Sequence, residues 1–217
     1  MRTATAYLLL RSMLLPTGWA VMRRSRMVVA AVHDLANEGQ AIDTTALKSA
    51  VLRANQQVLD ASAGNSSYEG MGSTATVLHV DEAAGMAYYA HVGDSRLYLL
   101  RRGVFRQVSR DHSYVEELVA RGQLSEAEAQ HHPRKNLLLR AVGIEEHLHV
   151  DGDSFPLETG DRLLLATDGL TNMVDDDALA ALLGGEFSDV AKRMAERALA
   201  GGGSDNITAI ALAYEMP

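Results

Sequence analysis

The sequence predicts an α+β domain in which helices flank a mostly antiparallel set of strands. Three observations predict it. Two stretches of helical period open the chain, short strands with tight turns follow from Thr74, and further helices interrupt and follow those strands. With 217 residues, 47% of them hydrophobic, the chain can bury a core of its own without disulfides, and it has no cysteine to form them.

Val21–Asn37 reads as the first helix and Thr45–Ala61 as the second, with Leu47, Ala50, Val51, Ala54 and Val58 on one face. Asp43 or Thr44 supplies the N-cap, and Gly64 with Asn65 the stop. Thr74–Val80 and Met86–Val92 read as strands. Gly93-Asp94 turns into Leu97–Leu100, and Arg102-Gly103 turns into Val104–Val108. Links this short imply antiparallel pairing, hence a meander. Asp111–Pro133 reads as a polar helical excursion, with Gly122 ending one helix and Ser125 and Glu128 forming a capping-box pattern at the next. Strands at His147–Val150 and Leu163–Ala166, helices at Asp175–Leu183 and Asp189–Leu199, and a last strand at Ile207–Tyr214 complete the order.

Charge excludes some functions. The 20 Lys and Arg against 28 Asp and Glu argue against a nucleic-acid or anionic-membrane surface. The acids are unevenly placed: none precedes Asp34, whereas Arg2, Arg11, Arg23, Arg24 and Arg26 all do. The apolar run Ala6–Leu15 is broken by Arg11 and is too short to span a bilayer, so the start reads as an odd or truncated N-terminus of a cytoplasmic protein rather than a cleaved leader.

Three segments carry candidate chemistry. The buried run Leu163–Ala166 ends in Thr167-Asp168-Gly169, so Asp168 is either a ligand at the mouth of the sheet or the cap of the next turn. Gly202-Gly203-Ser204-Asp205-Asn206 lets backbone approach closely and sets Asp205 just before the last strand, unless it is only a helix stop with an Asx-turn. Asp111, in Arg110-Asp111-His112-Ser113, is a ligand or a helix cap. Three carboxylates at strand ends in a cysteine-free chain suit Mg²⁺ or Mn²⁺. His147-x-His149 with Asp151 and Asp153 reads as the polar face of an edge strand rather than a zinc or calcium site.

In this order and spacing the segments resemble the metal-dependent serine/threonine protein phosphatases of the type-2C (PPM) family, in their bacterial single-domain form. The resemblance rests on Gly70-Met71-Gly72-Ser73-Thr74, Gly93-Asp94-Ser95-Arg96, Arg110-Asp111-His112, Arg140-Ala141-Val142-Gly143, Ala166-Thr167-Asp168-Gly169-Leu170 and Ser204-Asp205-Asn206. It implies two antiparallel sheets packed as a sandwich between helices, with a flap at about 112–135. It also implies a cleft holding two Mn²⁺ or Mg²⁺ ions, and an additional, weaker site. Asp168 and Asp205 match the catalytic metal ligands, Asp111 with Asp168 matches the weaker site, and Gly93–Arg96 matches a more structural motif. The implied reaction is hydrolysis of phosphoserine and phosphothreonine on proteins, opposing a Ser/Thr kinase.

One departure stands out. The family's opening strands carry an Arg, an Asn-Glu-Asp motif and an Asp-Gly-Met-Gly-Gly whose Asp bridges both ions. Here no carboxylate precedes Asp34, and Thr17-Gly18-Trp19 is at most a remnant. The sequence therefore divides into an atypical segment 1–20 and a phosphatase-like domain 21–217 whose first strands are missing or replaced. Activity impaired by that loss is the expectation. The alternative is an inactive regulatory module that binds phosphoproteins or a kinase; a fragment or misassigned start is a third.

Overall fold

Strands buried on both faces decide the architecture. In a computed structural model, which describes residues 3–8, 18–37, 39, 41–63 and 72–215, eight strands form two four-stranded antiparallel sheets. The first sheet runs in the order β1 (Thr3–Leu8), β2 (Ala75–Asp81), β3 (Met86–Val92), β6 (Ser154–Pro156). The second runs β5 (Val104–Gln107), β4 (Arg96–Arg101), β7 (Asp161–Ala166), β8 (Ala209–Tyr214). Leu97, Leu99, Leu163 and Leu165 point inward and pack with Leu78, Val80 and Ala87 of the opposite sheet. Tyr98, Leu164 and Ala166, one residue out of phase, point outward. Both faces of β4 and β7 are thus buried, which explains their unbroken apolar runs.

Helices cover each outer face. α1 (Gly18–Asn37) and α2 (Thr44–Ser62) lay Val28, Val32, Leu35, Leu47, Val51 and Val58 on the first sheet against Val77, Ala90 and Val92. α6 (Asp176–Gly184) and α7 (Val190–Ala200) lay Leu179, Leu183, Val190 and Met194 on the second. Asp43 caps α2 by accepting from Ala46 N at 2.8 Å, and Asp175 caps α6 by accepting from Ala178 N at 2.8 Å. The predicted stop at Gly64–Asn65 lies outside the described residues, as does most of Tyr68–Gly72.

Three expectations are corrected. The opening of the chain is not devoid of strand: Thr3–Leu8 pairs with β2 along its length, Thr3 opposite Asp81 and Leu8 opposite Thr76. The four strands after Thr74 are not one meander, because β3 and β4 belong to different sheets. The chain crosses between them at Gly93, whose φ of +113° suits glycine, and a Cβ there would collide with Thr74. His147–Val150 forms no strand. It is an irregular segment that buries Leu148 and Val150 and leads into the bridge between Asp151 and His91.

The excursion between β5 and β6 holds α3 (Tyr114–Ala120) and α4 (Glu126–His131), with the Ser125–Glu128 capping box in place. Its arms are tied at the base by Tyr114 N–H donating to Leu137 O and Leu139 N–H to His112 O, both at 2.8 Å. Among the described residues no helix is long and apolar enough to cross a membrane.

Candidate active-site cleft

A cleft of about 830 Å³ opens at one end of the sandwich, between the second sheet and the excursion. Its carboxylates are Asp94 from the corner between sheets, Asp111 from the start of the excursion, Glu116 and Glu126 from the excursion's two helices, Asp168 from the end of β7, and Asp175 and Asp176 from the start of α6. Asp168 opens the short helix α5 (Asp168–Thr171) and is 7% exposed; Asp94 is 8% exposed. Carboxylates this deep are costly to leave ionised without cationic or hydrogen-bonding company.

Asp205 comes to the same end by a continuation of the β7–β8 ladder. Thr167 N–H donates to Thr208 O at 3.1 Å, Thr208 N–H donates to Thr167 Oγ1 at 2.9 Å, and the Thr167 hydroxyl donates to Asn206 O at 3.1 Å. The chain at 205–206 is pressed so closely on Gly169 that a Cβ there would fall on the Asn206 carbonyl oxygen and 2.8 Å from its carbon. The Asp-Gly pair at 168–169 therefore lets two strand ends meet. Asp205 is not among the residues lining the cleft, and one of its oxygens accepts from Asn206 N at 2.7 Å.

Asp111 is engaged differently from the expectation. Arg96 Nε and Nη2 grip both its oxygens at 2.8–3.0 Å, and Gln107 donates to Oδ1 at 2.9 Å. A bidentate guanidinium this well placed favours the ionised carboxylate and fixes its orientation. Arg96 also donates to the Tyr98 hydroxyl, which donates to Asp176, so Asp111 anchors a structural chain across the cleft wall. Burial pushes the Tyr98 hydroxyl's pKa up. Asp94, read from sequence as part of a structural motif, is the carboxylate that shares the cleft with Asp168 at comparable burial. Its signal was the glycine before it, which lets the chain turn inward.

Oxygen donors of this kind suit a hard divalent ion, which keeps several waters and needs one or two carboxylates from the protein. Asp168 fits that use. Among the described residues no three His, Asp or Glu side chains converge to hold an ion. His147 and His149 are exposed, in keeping with their reading as polar surface.

Residues 20–208 match the family model described as Protein phosphatase 2C. The serine/threonine phosphatase stp of Listeria monocytogenes serotype 4b is 38% identical over 193 residues, covering 86% of this chain and 76% of the relative. Protein phosphatase PhpP of Streptococcus pneumoniae is 39% identical over 143 residues, 65% of this chain and 57% of that one. The crystal structure of the Mycobacterium tuberculosis serine/threonine phosphatase PstP/Ppp superposes with a TM-score of 0.85 at 29% identity, covering 98% of this chain and 99% of that one. A PstP catalytic domain in complex with two manganese ions gives 0.80 at 28% identity, covering 97% and 98%. A sandwich of two antiparallel sheets between helices, an acidic cleft at one end and a sequence match over most of its length agree: the chain belongs to the protein phosphatase 2C family.

Proposed function

We propose that this chain is a protein phosphatase that hydrolyses phosphoserine and phosphothreonine in the cleft at Asp168, with Mn²⁺ or Mg²⁺ as cofactor. The observation that carries the reading is the meeting of the β7 and β8 ends, which brings Asp168 and Asp205 to one side of the molecule. Asp168 and Asp205 are the residues assigned to hold metal, with Asp94 joining Asp168 from the corner; Asp111 is assigned to the wall through Arg96. When bound, the ion supplies a water of lowered pKa and positive charge against the phosphoryl oxygens. The chain's own part is placement. Asp168 is fixed by α5 and by the packed Gly169, and the excursion screens the cleft with Val115, Val119 and Ala129. Arg110 and Lys135 line the cleft and bring positive charge toward a phosphate, Arg110 tempered by its 2.8 Å ion pair with Glu116. Water attacks phosphorus directly while the bond from phosphorus to the serine or threonine oxygen breaks and that oxygen takes up a proton, so no phosphoenzyme is required. We assign the work to the cytoplasm, opposite a Ser/Thr kinase.

A second reading has an observation of its own. No Asp or Glu precedes Asp34, so the family's bridging carboxylate has no counterpart there. That favours a module that binds phosphoproteins or a kinase without turning substrate over. The two readings part on one assay: phosphate release from a phosphothreonine peptide at millimolar Mn²⁺. Release that disappears in Asp168→Asn supports the enzyme. A well-folded chain with no release supports the binding module.

A further inference from the structure

Behind the cleft wall lies a second cluster built on Asp151. Its backbone is paired with the end of β3: His91 N–H donates to Asp151 O at 2.8 Å, and Asp151 N–H donates to His91 O at 3.1 Å. Its carboxylate reaches both arms of the excursion. Arg140, on the returning arm, donates to Oδ1 at 3.0 Å; His112 Nε2, on the outgoing arm, lies 3.2 Å from Oδ2. The exposed His149 touches Oδ1 at 3.2 Å.

His112 is 5% exposed and is itself bound to the corner between the sheets. Its N–H donates to Gly93 O at 2.7 Å, and its Nδ1 accepts from Gly93 N at 3.2 Å. Accepting at Nδ1 fixes the tautomer, so the ring proton sits on Nε2 and is donated to Asp151. A continuous chain of contacts therefore runs from Asp151 through His112 to Gly93, the residue from which Asp94 enters the cleft. The neighbours of His112 in sequence, Asp111 and Ser113, line the cleft; Asp151 does not. It lines a recess of about 50 Å³ behind the wall, with His112 and Arg140.

We infer that Asp151 is a positioning residue, a latch that holds the base of the 112–140 excursion and the Gly93–Asp94 corner in register with Asp168. This rests on the reading of the cleft as the reaction site. Of the two contacts, the one to His112 carries more weight. Arg140 and Asp151 are each more than a third exposed at the side chain and partly screened, whereas the His112 side chain is 3% exposed. Burial tends to raise the Asp151 pKa, but the His112 hydrogen bond and the charges of His112, Arg140 and His149 bring it below the usual carboxylate range.

The test compares Asp151→Ala and Asp151→Asn in the full chain. Asparagine keeps an oxygen that accepts from His112 Nε2, and alanine does not. Hydrogen exchange at pH 7 is expected to accelerate by about tenfold or more in Asp151→Ala at the amides of Gly93, His112, Tyr114 and Leu139, the scale of one lost hydrogen bond to a charged group. The amides of β7 should keep their rates, and Asp151→Asn should restore most of the protection. With p-nitrophenyl phosphate and Mn²⁺, kcat should fall about tenfold in Asp151→Ala while KM stays within about twofold, and recover in Asp151→Asn. Unchanged exchange in Asp151→Ala overturns the latch, as does acceleration spread equally over β7. If the unaltered chain releases no phosphate, the phosphatase reading fails, and the exchange rates still decide the latch.

Discussion

Lowering the pH should unfold this protein through His91. The imidazole is fully buried, its Nδ1 facing the Thr76 hydroxyl at 3.0 Å and its Nε2 facing Gly93 O and Arg110 O at 3.1 Å each. The two carbonyls need a proton on Nε2, which leaves Nδ1 to accept from Thr76, so the ring is held neutral. Burial, with the neighbouring His112 ring 4.8 Å away, lowers its pKa from 6.5 to about 4. A group whose folded pKa is depressed binds its proton first in the unfolded chain, so its contribution to stability is complete above 6.5 and fades as pH falls toward 4. The slope is at most about 1.4 kcal/mol per pH unit, and the whole window amounts to roughly 3 kcal/mol. Urea unfolding followed by circular dichroism at pH 7, 6 and 5 measures it directly. His91→Asn starts from a less stable protein, but its free energy of unfolding should fall less steeply with acid, by about one proton's worth at pH 5. Equal slopes in the two proteins would refute the argument.

Two further perturbations test the placement of the site and the tie at the opposite end of the sandwich. Gly169→Ala forces a methyl into the Asn206 backbone, which cannot yield as a flexible side chain would. It should cost about 1–3 kcal/mol by thermal melting and abolish any Mn²⁺-dependent phosphate release. Arg101→Leu strips the bidentate partner at 2.6–2.8 Å from Asp161, a carboxylate only 1% exposed. A loss of roughly 2–4 kcal/mol in urea unfolding is expected, with the Asp161→Asn/Arg101→Leu pair recovering part of it.

How far the sequence could be read depended on whether an element's signal was local. Met86–Val92 has the predicted bounds because its signal is local: Gly85 and Gly93 stand directly on either side of it. The Ser125–Glu128 capping box is four residues of self-contained chemistry, and it formed as written. The crossing at Gly93 was hidden because a short link constrains the distance between strands, not the sheet each joins. The alternation Thr3-Ala4-Thr5-Ala6-Tyr7 was a usable strand pattern, obscured by the apolar run that overlaps it. At the site, Asp168 and Asp205 were visible as acids at strand ends, the first next to Gly169 and the second two residues past Gly203. The capture of Asp111 by Arg96 was not, since the two stand fifteen positions apart with a turn and a whole strand between them. Asp151 had still less to show. Its role depends on two residues that approach it only after the excursion has closed.

The crossing at Gly93 also bears on the order in which this protein becomes competent. Asp94 belongs to the seam between halves, whereas Asp168 stands at the end of a strand that pairs with β4 and with the last strand of the chain. A nascent polypeptide released before β8 would own Asp94, Asp168 and Asp205 and still leave β7 without one of its two partner strands. The strand that carries Asp168 is thus completed last, by the final strand to be made.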